Sequence, residues 1–490
     1  MSAARRALPE SPARRGWCPG LSRPMPTGDG LLARVHPPLG ILTLPQARAV
    51  AEGARRFGNG HIDLTARANL QIRGVSEATR GPLARLLEAA GLGDARADGG
   101  PQRLTLTGPL AGRDPAEIVD VAALARAIEA AGRAVPGLPA KTLVAVEGRP
   151  GAPLPDADFF VFALAPDRVG LAVSGTDGLH ELGTCAAGDA PGAVGTLLAA
   201  FVASGRRRAR DLSETERATL VTPVSDLNAP SPPPSAGEGG PRRGSGEGSA
   251  VSGEAATGAT ISGVALPLSP PAPQGTLPRT RGRESDGIGE AYPLAGISAV
   301  SPGLTALALD APFGRCTADA LDRLADVAAT LGAAEIRLSP TRGFVLLTAD
   351  AARAASVLAE RADAFVTAPD DPRRAVAACT GAPACASGTT PTLIDADRIA
   401  REFRPLAARG LSAHVSGCAK GCARPAPADL TLVGRDGRYG VLVGGAPGDA
   451  PGFHLPIEAA LERIGKAAIV GLAAAFAPEA GTVGRDRRPG

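Results

Sequence analysis

Four of the seven cysteines lie in one carboxy-terminal segment, where they form two pairs. Cys379 and Cys385 are separated by five residues, Cys418 and Cys422 by three, and thirty-two residues lie between the pairs. Four thiolates can surround an inorganic iron core, and a [4Fe–4S] cluster tolerates such irregular spacing. The sequence therefore predicts an iron–sulfur cluster held by these four residues.

Two other interpretations of the four thiols stay open. A structural zinc site can also use four cysteine thiolates, but its ligand pairs usually have two to four residues between them. Inert core thiols would not be expected to gather beside glycines, and Gly381, Gly417 and Gly421 flank these cysteines. Because glycine lets backbone N–H groups come close to cluster sulfides, the pattern favours the cluster.

A second candidate site is a run of polar residues near the amino terminus, in the segment 64–74. If this segment is a strand, alternation puts Arg67, Asn69, Gln71 and Arg73 on one face. Such a face would suit a ligand with several carboxylates if it lined a cavity. If it faced water, it would be an ordinary solvated strand, and the pattern alone leaves both interpretations open.

The composition limits the class of protein. The chain has 490 residues, enough for roughly three average domains, and its net charge of +3 predicts no nucleic-acid partner. No apolar run reaches 18 residues, and the first 25 residues contain arginines but no apolar stretch, so no membrane span and no secretory signal are expected. An odd number of cysteines without an export signal predicts reduced thiols and a cytoplasmic location.

The chain contains an internal repeat on either side of a segment poor in large apolar residues. Residues 38–65 align without gaps with a second copy 274 positions later, and eight of the 28 positions are identical. Each copy is predicted as strand, Pro/Gly turn, amphipathic helix and two further strands, which is a ferredoxin-like arrangement. The segment between the copies is rich in Pro, Gly and Ser and is predicted to be a disordered linker.

These features divide the chain into seven parts. The predicted boundaries are 1–24 for an amino-terminal arm, 25–95 for a half-domain, 96–225 for a larger α+β domain, 226–290 for the linker, 291–370 for the second half-domain, 371–478 for the second larger domain and 479–490 for a tail.

The cysteine pattern, C-T-G-x3-C followed by S-G-C-x3-C, resembles the cluster motif of the sulfite and nitrite reductase family. The resemblance covers nearly all of the chain outside the linker. It implies an α+β fold with pseudo-twofold symmetry, in which two ferredoxin-like half-domains accompany two larger α+β domains and the second of these carries the cluster. The block RGWCPGLSRPMPTGDGLLAR at 15–34 resembles the opening of the cobalamin-pathway branch of that superfamily, the precorrin-3B synthases.

The resemblance also implies a site for the carboxylates of a tetrapyrrole. The positions that match its binding segments are Arg34, Arg67, Gln71, Arg73, Arg103 and Lys141. His36 stands where the family has a second basic residue, and Leu143 stands where it has a second lysine. His36 and Lys141 are therefore the candidate catalytic residues, although a polar lining role for His36 and a solvated role for Lys141 stay open.

The implied reaction of this branch is an oxygen-dependent hydroxylation of precorrin-3A at C20 with formation of a γ-lactone. It requires the [4Fe–4S] cluster and a mononuclear non-haem iron, whose ligands the sequence does not indicate. No dinucleotide-binding motif is present, so an external NADH-dependent electron donor is expected. Two alternatives stay open: a siroheme-dependent sulfite or nitrite reductase, and a non-catalytic iron–sulfur or tetrapyrrole carrier.

Overall fold

The computed structural model describes residues 19–227, 292–293, 295–361 and 363–477, which form two half-domains and two larger α+β units. The first half-domain contains β1 (Met25–Thr27), β2 (Gly30–Val35), β3 (Ile41–Thr43), α1 (Leu44–Phe57), β4 (His61–Leu64), β5 (Leu70–Val75) and α2 (Glu77–Ala89). The unit after it contains β6 (Thr105–Leu106), α3 (Val121–Arg133), β7 (Val144–Glu147), β8 (Phe159–Ala165), β9 (Arg168–Ser174), β10 (Leu179–Ala186), α4 (Ala190–Ala203) and α5 (Glu214–Leu227).

The second part of the chain repeats this order of elements. The second half-domain contains β11 (Gly296–Ser301), β12 (Leu304–Asp310), β13 (Arg315–Thr317), α6 (Ala318–Thr330), β14 (Glu335–Ser339), β15 (Gly343–Thr348) and α7 (Ala351–Glu360). The last unit contains β16 (Val376–Ala378), α8 (Thr392–Ala407), β17 (Ala413–Ser416), β18 (Leu430–Arg435), β19 (Arg438–Val443), β20 (His454–Leu455), α9 (Ile457–Val470) and α10 (Leu472–Ala475).

Each half-domain gives one short strand to the sheet of the other. The strand orders are β1-β2-β5-β4-β13 and β11-β12-β15-β14-β3, so β3 and β13 change places. Both strands follow a 3₁₀ turn of the same shape, in which Leu39 and Phe313 have a φ of 54°. The sequence repeat is therefore also a structural repeat, which confirms the predicted pseudo-twofold arrangement.

The helices that follow the exchanged strands pack against each other. Helix α1 begins at a capping box, because Thr43 Oγ1 accepts from the Gln46 N–H at 3.3 Å and the Gln46 amide oxygen accepts from the Thr43 N–H at 3.0 Å. Its alanines and Val50 face the core that both half-domains share. Exposed ion pairs between Arg55 and Asp319, at 2.9 Å, join α1 to α6 across the pseudo-twofold axis.

The two larger units are built alike. Their sheets have the orders β10-β9-β8-β7-β6 and β16-β17-β18-β19-β20. In each sheet the first three strands along the chain are parallel and the remaining strands are antiparallel. Helices α3 and α4 pack into one core, and α8 and α9 pack into the other. The predicted α+β fold class is therefore confirmed.

Two details of the sequence interpretation differ from the structure. Strand β5 begins at Leu70, so the prediction that Arg67 and Asn69 belong to it is wrong. Thr65 Oγ1 accepts the N–H groups of both residues, at 3.3 and 3.2 Å, and Ala68 has a φ of 49°, so this part of the chain is a turn. Helix α5 also extends through Leu227, into the predicted linker.

The rest of the predicted linker 226–290 lies outside the described residues, as do the tail 479–490 and most of the predicted arm 1–24. None of the described helices is long and apolar enough to cross a membrane.

Candidate tetrapyrrole face and cysteine centre

One face of the first half-domain sheet carries a row of polar side chains. Arg34 on β2 lies opposite Gln71 on β5, Gln71 lies opposite Asp63 on β4, and Asp63 lies opposite Arg315 on β13. Directly opposed residues of neighbouring strands point to the same side of a sheet. The alternate residues on these strands are buried in the core beneath α1 and α2, so this face is left for another partner.

Arg34 and Gln71 form the end of this row that lies nearest to the edge strand β1. With its amide oxygen turned toward the guanidinium group, Gln71 accepts from Arg34 Nε at 3.0 Å and from Nη2 at 2.5 Å. His36 lies just beyond the end of β2. Burial and the nearby guanidinium groups of Arg34 and Arg103 hold the pKa of His36 well below its usual range. His36 is therefore a neutral imidazole at pH 7 and adds no fixed positive charge to this face.

The side chain of Arg67 contacts the backbone of Lys141. The Arg67 guanidinium donates from Nη1 to the carbonyl oxygen of Lys141 at 3.2 Å. Arg67 is partly exposed, and Lys141 is exposed. The structure thus brings together two basic residues that are 74 positions apart in the chain.

Arg103 is turned inward and holds turns of the backbone. Its side chain is buried and donates to the carbonyl oxygens of Pro37 at 3.1 Å and Ala68 at 2.9 Å, and also to that of Arg67. Burial, together with repulsion from Arg67, lowers the pKa of Arg103 to about 10, so it stays protonated at pH 7. These contacts assign Arg103 to fixing the turns that present Arg67 and His36, and its predicted role as a direct ligand of substrate stays a prediction.

Arg73 is also buried among protein groups. It lies on the same face as Gln71, two positions further along β5, but its side chain is only 4% exposed and is paired with Asp29 at 2.7 Å and with Asp63 at 3.1 Å. A guanidinium group with two carboxylate partners has little capacity left for a substrate carboxylate. Its predicted role in substrate binding also stays a prediction.

The four cysteines of the predicted cluster site come from two loops that meet. Cys379 follows β16, and Cys418 follows β17, the parallel neighbour of β16, so both loops leave the same edge of the sheet. The loops are joined by a hydrogen bond from the Gly417 N–H to Cys379 Sγ at 3.1 Å. A second bond, from the Thr389 N–H to the Gly417 carbonyl oxygen, spans 3.3 Å.

The thiols of Cys418 and Cys422 both lie within electrostatic reach of Cys379 and Cys385. Partial burial of the thiols raises the pKa of Cys418 and of Cys422; Cys385 and Cys379 raise the pKa of Cys418 further, and all three other thiols raise that of Cys422. Four neighbouring thiolates repel one another, so their joint deprotonation requires a compensating positive charge such as that of iron. Cys379, Cys385 and Cys418 are partly exposed, and Cys422 is the most exposed of the four residues.

The backbones of the two loops approach each other closely at Gly417. A Cβ atom on Gly417 would lie 3.2 Å from Gly381 Cα and 3.6 Å from Cys379 Sγ. In the described ranges, no group of three or more His, Cys, Asp or Glu side chains is arranged to hold a single metal ion. This finding leaves the ligands of the predicted mononuclear iron unassigned.

Sequence reasoning missed three charged residues of this region, namely Asp63, Arg315 and Arg342. Arg315 bonds to Asp63 and to Thr380 Oγ1, the latter at 3.2 Å, and Arg342 donates to the Ala423 carbonyl oxygen at 3.0 Å. The repeat could have pointed to two of them. At the offset of 274 residues Asp63 aligns with Arg337 and Arg315 aligns with Ile41, so the two copies differ in charge at these positions.

The second half-domain has no such polar row. The residues in the equivalent register are Ala308, Val345, Arg337 and Ile41. Ala308 and Val345 pack against Leu110, and Arg337 donates to the carbonyl oxygens of Pro109 and Ala111 at 2.9 and 3.0 Å. The polar face is therefore present in only one of the two related sheets.

Comparison with known proteins identifies the class. The nitrite/sulfite reductase ferredoxin-like half domain matches residues 23–90 and 301–364, which are the two halves of the repeat. The fold is similar to that of the Mycobacterium tuberculosis NirA protein, with a TM-score of 0.62 and 20% identity over 89% of this chain and 79% of that one. A ferredoxin–nitrite reductase of Leptolyngbya laminosa is 35% identical over 24% of this chain and 23% of its own length. The chain is an enzyme of the nitrite and sulfite reductase superfamily.

A second relative identifies the branch. A precorrin-3B synthase of a Sinorhizobium species is 34% identical over 92% of this chain and 88% of that protein. This similarity includes both half-domains and both larger units. The chain belongs to the precorrin-3B synthase family, as the amino-terminal block and the cysteine motif predict.

Proposed function

We propose that this protein converts precorrin-3A to precorrin-3B in aerobic cobalamin biosynthesis. One oxygen atom of O2 enters the substrate at C20, and a ring A acetate closes the γ-lactone. The other oxygen atom leaves as water, with two electrons and two protons from an NADH-dependent donor. The observation that carries this proposal is one polar sheet face, with Arg34 and Gln71 at one end and the cysteine loops at the other, in a chain of this family.

The protein's own residues would bind and orient a polycarboxylate ring. Three cations of this region, Arg34, Arg67 and Lys141, are residues that are at least partly exposed. Guanidinium groups bind carboxylates in a planar two-point geometry, and the ammonium group of lysine adds a compact charge. Arg103 would act through the backbone turns that it holds. We expect these groups to fix which edge of the ring faces the cysteine loops.

His36 would serve as a proton-handling group. Its neutral ring has one nitrogen that donates and one that accepts, so it can pass a proton without a change of net charge. The low pKa that burial imposes keeps it in this form throughout the physiological range. A neutral ring at this position would also weaken the binding of a small oxyanion.

Cys379, Cys385, Cys418 and Cys422 would hold a [4Fe–4S] cluster, which supplies single electrons when it is bound. The partial exposure of these cysteines, the glycine at position 417 and the mutual repulsion of the four sulfur atoms all fit such a group. A mononuclear non-haem iron completes the proposal, with ligands not assigned among the described side chains. Reduced thiols of this kind suit the cytoplasm.

The second candidate, a siroheme-dependent sulfite or nitrite reductase, has weaker support. The matches to nitrite reductases cover only about a quarter to a third of this chain. Such enzymes bind small anions, which requires a dense set of cations over the substrate. Here the neutral His36 and the apolar Leu143 stand at two of the cationic positions of the family motifs.

The test is anaerobic purification followed by measurement of iron, sulfide and tetrapyrrole, with EPR, and by turnover of precorrin-3A under air and under argon. We expect about four cluster irons per chain, no bound siroheme and turnover only under air. Siroheme absorption together with sulfite or nitrite reduction would favour the second candidate. A cluster without any turnover would favour a carrier.

The matched pair of variants is Cys422→Ser and Cys185→Ala. Cys422 is the most exposed of the four thiols, so serine there disturbs packing little, and we expect loss of the cluster and of activity. Cys185 is a core residue at 3% exposure and should leave the cluster in place. Normal iron and sulfide in Cys422→Ser would overturn the ligand assignment.

A further inference from the structure

Asp63 is the centre of a largely buried ion-pair network in the first half-domain. Its carboxylate accepts from Arg315 Nε at 2.6 Å and Nη2 at 3.1 Å, and from Arg73 Nη1 at 3.1 Å. The two arginines come from different half-domains, because Arg315 lies on the exchanged strand β13. Asp63 is 14% exposed and Arg73 4%, so these charges are largely removed from water. Ion pairs in such surroundings are screened little and hold their geometry.

Each of these arginines also reaches the loop of the first cysteine pair. Arg315 Nη2 bonds to Thr380 Oγ1 at 3.2 Å, and Thr380 directly follows Cys379. Arg73 Nη2 donates to the Ala384 carbonyl oxygen at 2.7 Å, and Ala384 directly precedes Cys385. One carboxylate therefore holds two cations, and each cation holds the neighbour of one predicted cluster ligand.

The turn between β1 and β2 supports the same contacts. Asp29 accepts from Arg73 Nε at 2.9 Å and Nη2 at 2.7 Å, while the Gly28 N–H donates to the Ala384 carbonyl oxygen at 3.1 Å. A Cβ atom on Gly28 would lie 2.5 Å from the Pro383 carbonyl oxygen, so only glycine allows this approach. The turn belongs to the amino-terminal block 15–34, which now has a physical role.

The repeat shows that this network is not needed for the half-domain fold itself. In the second half-domain, Arg337 stands in place of Asp63 and Ile41 in place of Arg315, in the same sheet register. That sheet forms without a central carboxylate, and its corresponding face contacts the segment at Pro109 rather than a cysteine loop. The network therefore occurs where a cysteine loop docks.

We propose that Asp63, acting through Arg73 and Arg315, is a positioning residue that fixes Cys379 and Cys385 for cluster binding. Because Asp63 lies in the sheet row that begins at Arg34 and Gln71, the same network joins the predicted substrate face to the cluster loop. This inference rests on the proposed cluster ligands. It adds that the amino-terminal half-domain determines the environment of the first cysteine pair.

The test compares Asp63→Asn with Asp319→Asn. Both changes remove one carboxylate that holds an arginine of the other half-domain, but Asp319 pairs with the exposed Arg55, away from the cysteine loops. We expect Asp63→Asn to lose at least half of the cluster iron and sulfide and to shift the midpoint potential and EPR spectrum of what remains. Asp319→Asn should match the wild type in each measurement.

Alkylation of the iron-free full-length chain gives a readout that does not require a cluster. Peptide mapping should show that Cys379 and Cys385 are alkylated several-fold faster in Asp63→Asn than in the wild type. The alkylation rates of Cys418 and Cys422 should be the same in both proteins. If Asp63→Asn proves insoluble, Thr380→Val, which removes only the hydroxyl group that Arg315 contacts, should speed labelling of Cys379.

The two levels of the proposal can fail separately. Wild-type protein without a cluster would overturn the proposed ligands. Wild-type protein with a cluster, alongside a folded Asp63→Asn variant that has the same iron content, potential and labelling rates, would overturn only the role of Asp63. Equal acceleration at all four cysteines would also overturn it, because the network contacts only the first loop.

Discussion

At the scale of single residues, the arginines fall into two groups that the sequence does not distinguish. Arg73 and Arg103 donate their N–H groups to carboxylates and carbonyl oxygens of the protein, whereas Arg34 and Arg67 are partly exposed. A buried guanidinium group needs several acceptors to offset its desolvation, so its donors are committed to the protein. Substrate contact is expected from the second group.

The first prediction concerns Arg67→Ala. Loss of one charge-assisted contact should weaken precorrin-3A binding by about 1–2 kcal/mol, or roughly 5- to 30-fold in Kd. The effect should shrink at high salt, because Arg67 is partly exposed. Anaerobic absorbance titration measures it, with the exposed Arg56→Ala as control. Equal Kd values for both variants would place the carboxylates elsewhere.

The second prediction concerns the pH dependence of stability through His414. This residue has no exposed surface, and neither ring nitrogen has a partner among the described groups. Burial, with the charges of Arg424 and Arg342 nearby, lowers its pKa from 6.5 to about 4. The unfolded chain binds a proton below pH 6.5 that the folded chain does not bind until pH 4, so stability falls as the pH drops through this window.

Replacement by leucine should remove this dependence. Between pH 7 and 4.5, the free energy of unfolding of the wild type should fall by about 2–3 kcal/mol more than that of His414→Leu. Denaturant titrations of both proteins at the two pH values, under the same iron loading, give the comparison. Parallel pH profiles would show that His414 finds a proton-binding partner in the folded protein.

At the scale of elements, the exchange of β3 and β13 joins the two half-domains. Leu42 on β3 is fully buried in the sheet of the second half-domain, opposite Ile336. Cys316, its counterpart on β13, is buried opposite Ile62 in the sheet of the first half-domain. Neither sheet can complete its edge without the other half, so we expect them to unfold as one unit.

The third prediction tests this with Leu42→Ala. Truncation of a fully buried leucine should cost about 2–5 kcal/mol, and the loss should appear in a single transition for both half-domains. Denaturant unfolding, followed by circular dichroism and by hydrogen exchange in each sheet, measures it. Cys316→Ala, a smaller truncation at the related position, should give a smaller loss. Separate transitions of the two sheets would contradict the coupling.

Sequence patterns could predict the elements but not these long-range pairings. The repeat, the Pro/Gly turn and helix α1 followed from local spacing, because turn geometry and amphipathic periodicity are local properties. The exchange of strands was out of reach, since both strands have the same local pattern in either sheet. The inward orientation of Arg103 was equally hidden, because its acceptors are backbone carbonyl groups of a distant turn.

At the scale of the whole molecule, two related halves have different tasks. One half-domain presents charged residues to a cysteine loop, and the other packs Ala308 and Val345 against Leu110. The same backbone accepts both, since the helix-facing side of each sheet supplies the core while the other side is free to vary. The pseudo-symmetric molecule therefore has one such site, because the residues on the side of the sheet away from the helices differ between the two half-domains.

The last prediction concerns the segment between the halves. Helix α5 ends at Leu227, and Tyr292 is buried where a Cβ atom on Gly108 would come within 3.0 Å of its ring. The sequence between them has few large apolar residues and so offers little surface to bury. Deletion of 231–285 should therefore leave cluster content, unfolding transition and turnover unchanged.

That experiment has to distinguish the length of the segment, which sets the distance it can span, from its amino-acid sequence. The deletion leaves three residues before the cut and six after it to connect Leu227 to Tyr292, and these can span at most about 33–36 Å. A companion variant replaces 231–285 with a Gly/Ser segment of equal length, which keeps the reach and removes the sequence. Activity in both variants would confirm that neither the length nor the sequence of the segment matters. Activity in the companion variant alone would show that only its length is needed. Loss of activity in both variants would show that residues of this segment contribute directly to the enzyme.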